Sequence, residues 1–272
     1  RPITREGYRV TRPVHVRDRV IFATPTTILQ INRLNGEGLD RYELRFPAGT
    51  APATDGVRLF LGGLDERMHT FNLANIYTGW QVIADGPIAS TPALEDKNLY
   101  IASATGHVYS CEAANKALRW QTQTFGSISA DLVVAEEGVY VAGREGSLYL
   151  LDLLFGETRW KARFSGPLYE APAVTADLAF QYCPDDGLVA VNTGQIDIDH
   201  RIRWKLRNGR RLLTTNEHNA FILSQNESII VANLASGDVS QRIPARGMTL
   251  ADAAIGTTAV YVASPDGRVF CA

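Results

Sequence analysis

Apolar residues along this chain fall in short β-rich runs that come in pairs, each pair joined by a turn carrying Gly or Asp. The clearest pair is Gly138-Val139-Tyr140-Val141-Ala142-Gly143, the turn Arg144-Glu145-Gly146, then Ser147-Leu148-Tyr149-Leu150-Leu151-Asp152. Such a pair predicts a β-hairpin. The same text recurs as Leu99–Ala102 with Val108–Glu112 and as Val260–Ala263 with Val269–Cys271. Looser copies are Val20–Ala23 with Ile28–Asn32, Leu59–Leu61 with Thr70–Asn72, Leu178–Phe180 with Leu188–Asn192, and Ala220–Leu223 with Ile229–Asn233. A further element precedes each pair, often marked by proline (Pro13, Pro52, Pro92, Pro172), which suits the start of a strand where no ladder donor is needed. A last run carries tryptophan: Trp80, Trp120, Trp160 and Trp204 stand 40, 40 and 44 residues apart.

Four strands in about forty residues is the pattern of β-propeller blades. The runs are apolar on both faces, as in Val139–Ala142, whereas a sheet with one wet face alternates. Stacked blades bury both faces, and an indole at a fixed position fills the widening gap between neighbours. The expected fold is all-β: a seven-bladed β-propeller with four antiparallel strands per blade, one domain over residues 1–272. The last repeat holds too little sequence for its outer strand. Glu6-Gly7-Tyr8-Arg9-Val10 resembles Thr78-Gly79-Trp80-Gln81-Val82, and is expected to supply that strand and so remove a loose end.

Composition narrows the partners. A hydrophobic fraction of 45% is ordinary for a globular chain with a large core. A formal net charge of -2 lacks the basic excess of a general nucleic-acid binder, so no nucleic-acid partner is expected. No apolar run approaches the roughly 18 residues that cross a bilayer, so no transmembrane segment is expected. The chain begins at Arg1, as processed secreted proteins and pieces of longer chains both do, and no signal peptide decides between them. Cys111, Cys183 and Cys271 fall in the third, fifth and seventh repeats, which are not neighbours in a ring. A disulfide needs Cα atoms within about 7 Å, so three free, mostly buried thiols and no disulfides are expected.

The full motif is a Val-Tyr-Val strand, an acid-Gly turn, a Leu-Tyr-x-Leu-Asp strand and a following Gly-x-x-x-Trp. It resembles the PQQ-type repeat, best in the third, fourth and seventh copies and loosely in the first and sixth, over essentially the whole chain. The resemblance implies two kinds of protein. One is the larger, eight-bladed quinoprotein dehydrogenases that hold PQQ and calcium on the propeller axis. The other is non-catalytic propellers such as the periplasmic lipoprotein of the outer-membrane barrel-assembly machine. This sequence is shorter than the enzymes, counts seven blades, and has no adjacent Cys pair of the kind that covers PQQ. It also departs from the lipoprotein, with neither an N-terminal lipid-bearing Cys nor an eighth blade. By this resemblance the expected location is periplasmic or otherwise extracytoplasmic.

Candidate chemistry is sparse. Asp65, Glu145, Asp185 with Asp186, and Asp266 recur at one turn of successive repeats. Acids could serve as general acids, bases or calcium ligands, but turn geometry favours Asp there and symmetry spreads them around the ring. The histidines His15, His69, His107, His200 and His218 show no metal-binding spacing. Arg201, Arg203, Lys205 and Arg207 form a basic patch around Trp204, on one side of an outer strand if the chain alternates there. That patch either blunts an exposed edge or binds an anionic protein, glycan or headgroup. Loops entering the innermost strands, Ala84 to Thr91, Ser165 to Ala171, Gly209 to Thr215 and Pro244 to Ala251 among them, are expected to ring a channel mouth. Their notable side chains are Tyr169, Glu170, Arg210, Arg211 and Arg246, with Arg12 from the N-terminal segment. Convergent polar groups at a concave mouth are the natural place to look for a ligand. The expected function is a non-enzymatic binding or assembly scaffold for a protein partner, without cofactor. The alternatives are a PQQ- and calcium-dependent oxidoreductase, and a binder of carbohydrate or anionic polymer.

Overall fold

The computed structural model describes residues 11–194, 200–248, 250–251, 261–264 and 269–271. Every element among them is a β-strand. The first sheet is β1 (Val14–Val16), β2 (Arg19–Ala23), β3 (Thr27–Asn32) and β4 (Gly38–Glu43). The second is β5 (Ala53–Thr54), β6 (Arg58–Gly62), β7 (Arg67–Asn72) and β8 (Thr78–Ile83). The third is β9 (Ala93–Glu95), β10 (Asn98–Ala102), β11 (His107–Glu112) and β12 (Leu118–Gln123). The fourth is β13 (Val133–Ala135), β14 (Gly138–Gly143), β15 (Ser147–Leu151) and β16 (Thr158–Arg163). The fifth is β17 (Ala173–Val174), β18 (Leu178–Cys183), β19 (Gly187–Asn192) and β20 (Ile202–Leu206). The sixth is β21 (Gly209–Thr215), β22 (Asn219–Ser224), β23 (Ser228–Asn233) and β24 (Val239–Pro244). A three-stranded sheet follows: β25 (Leu250–Ala251), β26 (Tyr261–Ala263) and β27 (Val269–Cys271).

Strands pair antiparallel with their neighbours in sequence, so each forty-residue repeat closes its own sheet locally. The expected outer-strand segment 6–10 and the acid Asp266 lie outside the described residues. One expectation needs correction. Gly209 to Thr215 is the first strand of the sixth sheet, not a loop. The connection from β20 is only Arg207-Asn208, so the chain enters the sheet at once.

The chain divides into two compact units: residues up to 144 with 150–159, and residues 145–149 with those from 160 on. The fourth sheet supplies strands to both. Apolar side chains form slabs between consecutive sheets. In the first unit Ile21 and Ile28 meet Leu59, Leu61 and Phe71, and Phe60 and Met68 meet Leu99, Ile101 and Cys111. In the second, Phe180 and Leu188 meet Leu212, Ile222 and Ile230, and Leu213 and Leu223 meet Met248 and Val262. Both faces of the middle strands are therefore dry, which is why β14 and β15 are buried at every position and do not alternate in sequence.

The four indoles hold the slabs in register. Trp80 Nε1–H donates to the Ala114 carbonyl (3.1 Å), Trp120 to Leu153 (3.0 Å), Trp160 to Thr193 (3.0 Å) and Trp204 to Leu234 (3.0 Å). Each acceptor lies in the turn after the third strand of the next sheet. Each of three indoles also leans on an aromatic in the second strand of its own sheet, at centroid separations of 5.9 Å (Phe60–Trp80), 5.8 Å (Tyr100–Trp120) and 5.7 Å (Phe180–Trp204). These tilted pairs add to the area the rings bury. A β-bulge recurs beside the tryptophan where the third and fourth strands pair, leaving Arg119 and Arg203 unmatched just before Trp120 and Trp204. Bulges increase local twist, and here they turn the outer strand so that the indole faces the next sheet.

The turn after the third strand holds a left-handed residue in five sheets, Gly36 (φ 70), Ile76 (φ 52), Lys116 (φ 62), Gly156 (φ 72) and Gly237 (φ 77), and the last three of these turns receive an indole. Glycine is required where an indole lies against the turn. A Cβ on Gly156 would come 2.4 Å from Trp120 Cε3, and one on Gly237 would come 2.7 Å from Trp204 Cγ. Trp120 and Trp204 are each only 7% exposed. Trp80, whose receiving turn carries Lys116, is half-buried. A left-handed conformation costs a non-glycine residue about 1–2 kcal/mol, and Lys116 is exposed, so its side chain recovers little of that. Lys116→Gly is expected to stabilise the chain by about 1 kcal/mol after the added freedom of the unfolded state is subtracted. The check is the urea midpoint, and a lower midpoint contradicts the strain argument.

Candidate functional site

Among the expected mouth residues, the structure brings together Glu170, Arg210 and Arg211. Glu170 sits in the loop before β17. Its position is fixed by Gln181 on β18, a fully buried side chain whose Nε2 donates to the Glu170 carbonyl at 2.9 Å and to the Tyr182 carbonyl at 2.9 Å. Arg210 forks onto the Glu170 carboxylate, Nη1 to Oε2 at 2.7 Å and Nη2 to Oε1. Arg211 Nη2 reaches Oε2 at 3.3 Å.

Adjacent side chains of a regular strand point to opposite faces, so two consecutive arginines should not meet one carboxylate. They do because β21 is bulged at this point. Gly209 pairs with Ser224 and Arg211 with Leu223, leaving Arg210 unmatched. The bulge re-aims the side chain. The Arg210 guanidinium then lies over the Tyr182 ring, 3.9 Å from its centroid, a contact that favours a cation.

Burial alone would push the Glu170 carboxyl up. The hydrogen bond and charge of Arg210, with the charge of Arg211, outweigh it and hold the group below its ordinary value. The Glu170 hydrogen bond in turn raises Arg210 against the opposing effect of burial. Two guanidiniums on one ionised carboxylate leave a net positive group, partly exposed (33% and 40% for the two side chains). Tyr169, 47% exposed, adjoins it in the chain. Such a cluster can receive an acidic or hydrogen-bonding surface.

The other two mouth residues lie apart from this cluster in their contacts. Arg246 is exposed in the turn after β24. Arg12 is exposed and stands 3.7 Å from the Asp131 carboxylate, whose other oxygen accepts the Thr91 backbone N–H at 2.8 Å. In the basic patch, Arg203, Lys205 and Arg207 are exposed at alternate positions. Arg201 is placed differently: it is 6% exposed, donates to the Asn192 and Gly194 carbonyls at 3.0 and 2.6 Å, and lies over the Trp160 ring at 4.8 Å. The bulge at Arg203 resets the alternation and turns Arg201 inward.

A second polar cluster surrounds Asp85, in the loop after β8. Its carboxylate accepts from Ser103 Oγ (2.7 Å), Thr105 Oγ1 (2.6 Å) and Tyr109 Oη (2.7 Å), and His107 Nδ1 lies against it. Burial opposes ionisation here, but the hydrogen bonds from Thr105, Tyr109 and Ser103 prevail and hold the carboxyl at about 2. Burial and the bond to Asp85 push the Tyr109 phenol up to about 12. Ser103 points at the carboxylate rather than at His107, so the group is a latch between the loop and the β10–β11 turn, not a nucleophile with its base.

The recurring acids are similarly engaged. Asp65 bonds His69 Nε2 at 3.0 and 3.1 Å, and Glu145 accepts from Tyr149 at 2.7 Å. Asp186 accepts from the Ser165 backbone N–H (2.8 Å), Ser165 Oγ (2.9 Å) and Lys205 (2.6 Å). Among the described residues, no group of three or more His, Cys, Asp or Glu could hold a metal ion. Cys111 and Cys183 are buried and unbridged, and burial pushes the Cys111 thiol up to about 11, far from a reactive thiolate.

Sheets of four antiparallel strands, stacked through indoles on a forty-residue repeat, define a β-propeller of the PQQ-repeat class. A sequence profile described as outer membrane protein assembly factor BamB matches residues 126–262, half of the chain, and the chain belongs to that family. The crystal structure of BamB from Moraxella catarrhalis superposes with a TM-score of 0.76 at 18% identity, covering 96% of this chain and 84% of that one. The crystal structure of the computationally designed Ika8 protein superposes with a TM-score of 0.67 at 11% identity, covering 97% and 96%. At these identities the likeness is one of fold. No curated protein sequence matches the chain.

Proposed function

We propose that this chain is a non-enzymatic scaffold that holds a protein partner outside the cytoplasm. In this reading it is a seven-bladed propeller, and its role is assembly at the outer membrane, as the family description names for BamB. The observation that carries it is the Glu170–Arg210–Arg211 cluster. Two partly exposed guanidiniums are preorganised on one carboxylate by a bulge and a tyrosine ring, beside the exposed ring of Tyr169. Arg and Tyr are the residue types that most often anchor protein interfaces, and here their order is fixed before any partner arrives, which lowers the entropic cost of docking.

The test is retention of a protein from a cell-envelope extract by immobilised wild-type chain and by the double variant Tyr169→Ala, Arg211→Glu, with melting curves to verify folding. The wild type is expected to retain a partner that the variant loses by about tenfold or more. Equal retention by both contradicts the assignment of the site. Turnover of an alcohol substrate with added PQQ and calcium contradicts the scaffold reading.

A further inference from the structure

β20 and the turn after it carry a second charged feature, independent of the Glu170 cluster. Arg203, Lys205 and Arg207 are exposed, while Trp204 and Leu206 on the other face are buried. Lys205 is neutralised by Asp186 at 2.6 Å. Arg203 and Arg207 have no ion-pair partner among the described residues. The feature is therefore two free guanidiniums separated by a neutral pair.

Among the described residues no other outer strand presents two guanidiniums without an ion pair. β8 carries Gly79, Gln81 and Ile83 at the matching positions, and β12 carries Arg119, Gln121 and Gln123. β16 carries the same residue types, Arg159, Lys161 and Arg163, but Arg159 is bound to Asp152 at 2.6 Å and Lys161 lies over the Tyr149 ring at 5.0 Å, which leaves only Arg163 without an ion pair among the described residues. β20 is also twisted by its bulge at Arg203, a device that by itself blunts an edge.

Four residues of extended chain span at most about 13–14 Å, which bounds the separation of Arg203, at the bulge of β20, and Arg207, in the turn that follows. An extended peptide has the same period, so carboxylates at i and i+4 match that span. In a helix the same two residues stand only about 5–6 Å apart. We propose that Arg203 and Arg207 dock an extended acidic peptide segment of a partner protein, with two carboxylates four residues apart and a neutral residue facing the Lys205–Asp186 pair. Recognition is by side-chain charge in register with the strand.

Fluorescence anisotropy at low salt tests this with two labelled peptides of identical composition, Thr-Glu-Val-Thr-Val-Glu-Thr and Thr-Val-Glu-Glu-Val-Thr-Thr. The first is expected to bind about threefold or more tightly than the second, since the second can satisfy only one exposed pair at a time. The double variant Arg203→Glu, Arg207→Glu is expected to weaken the first peptide by about tenfold or more, and raising the salt to shrink the difference between the peptides. Equal binding of the two peptides, unchanged binding by the variant, or no binding of either overturns the proposal. So does preferential, variant-sensitive binding to phosphatidylglycerol-containing vesicles, which would make the surface a membrane contact. Tyr169→Ala with Arg211→Glu leaves this peptide result unchanged, so the two sites fail separately.

Discussion

Trp120→Ala is expected to lower the unfolding free energy by about 3–5 kcal/mol, a large part of the roughly 5–15 kcal/mol that holds a typical domain folded. The side chain is 7% exposed, leans on the fully buried Tyr100, and donates to the Leu153 carbonyl in the next sheet at 3.0 Å. Truncation leaves a void that the rigid sheets on either side cannot close, and it also strands the Leu153 carbonyl. Trp120→Phe separates the two effects, keeping most of the apolar area and removing the donor, so it should cost about 1–2 kcal/mol. Gly156→Ala attacks the same seam from the other side. Its Cβ meets the indole at 2.4 Å on a backbone held at φ 72. Trp80→Ala should cost clearly less than Trp120→Ala, because Trp80 is half-buried. Chemical denaturation of the four variants gives the order, and a Trp120→Ala loss below that of Trp80→Ala contradicts the role assigned to the seam.

The second large effect is the acid sensitivity set by Asp85. Its carboxyl is held at about 2 against an ordinary value of 3.8. The folded state thus binds protons less readily than the unfolded one. The resulting stability is fully present above about pH 4 and is lost as pH falls through about 2. The shift corresponds to about 2 kcal/mol as an upper bound, reduced by solvent because the side chain is 32% exposed. Asp85→Asn should remove this contribution at pH 7 and leave Ser103, Thr105 and Tyr109 competing for one carbonyl oxygen. Stability of wild type and variant measured from pH 7 to pH 2 should converge as the pH falls. Parallel curves contradict the linkage.

The sheets were legible because a repeat repeats its errors as well as its signals. Strand boundaries blurred in the first or sixth copy could be read from the fourth, and the tryptophan spacing fixed the period. The aromatic ladder Phe60, Tyr100, Tyr140 and Phe180, forty residues apart and each no more than 2% exposed, was equally available as a signal for the blade interior. The bulges were not. Strand alternation assigned Arg201 to the same face as Arg203, and place in the repeat made Gly209 to Thr215 a loop. The second reading gave way because only Arg207-Asn208 separate β20 from β21, and the first because one extra residue in a strand resets which face follows. The same device joins Arg210 and Arg211 on Glu170. Gln181 and Tyr182, which complete that site, carry no sequence signal beyond lying on a strand. Asp85 sits inside a loop marked as a channel-mouth segment, but its partners on β11 could be found only in three dimensions.

The account rests on a surface that binds a protein and does no chemistry, centred on Glu170, Arg210 and Arg211. Site-specific photo-crosslinking in cells tests it most directly, with a benzophenone amino acid replacing Tyr169 in one sample and Leu118, 57% exposed on β12, in another. The predicted result is one protein-sized adduct at position 169, lost when Arg211→Glu is added, and no such adduct at position 118. An adduct of equal yield at both positions, or none at position 169, contradicts it.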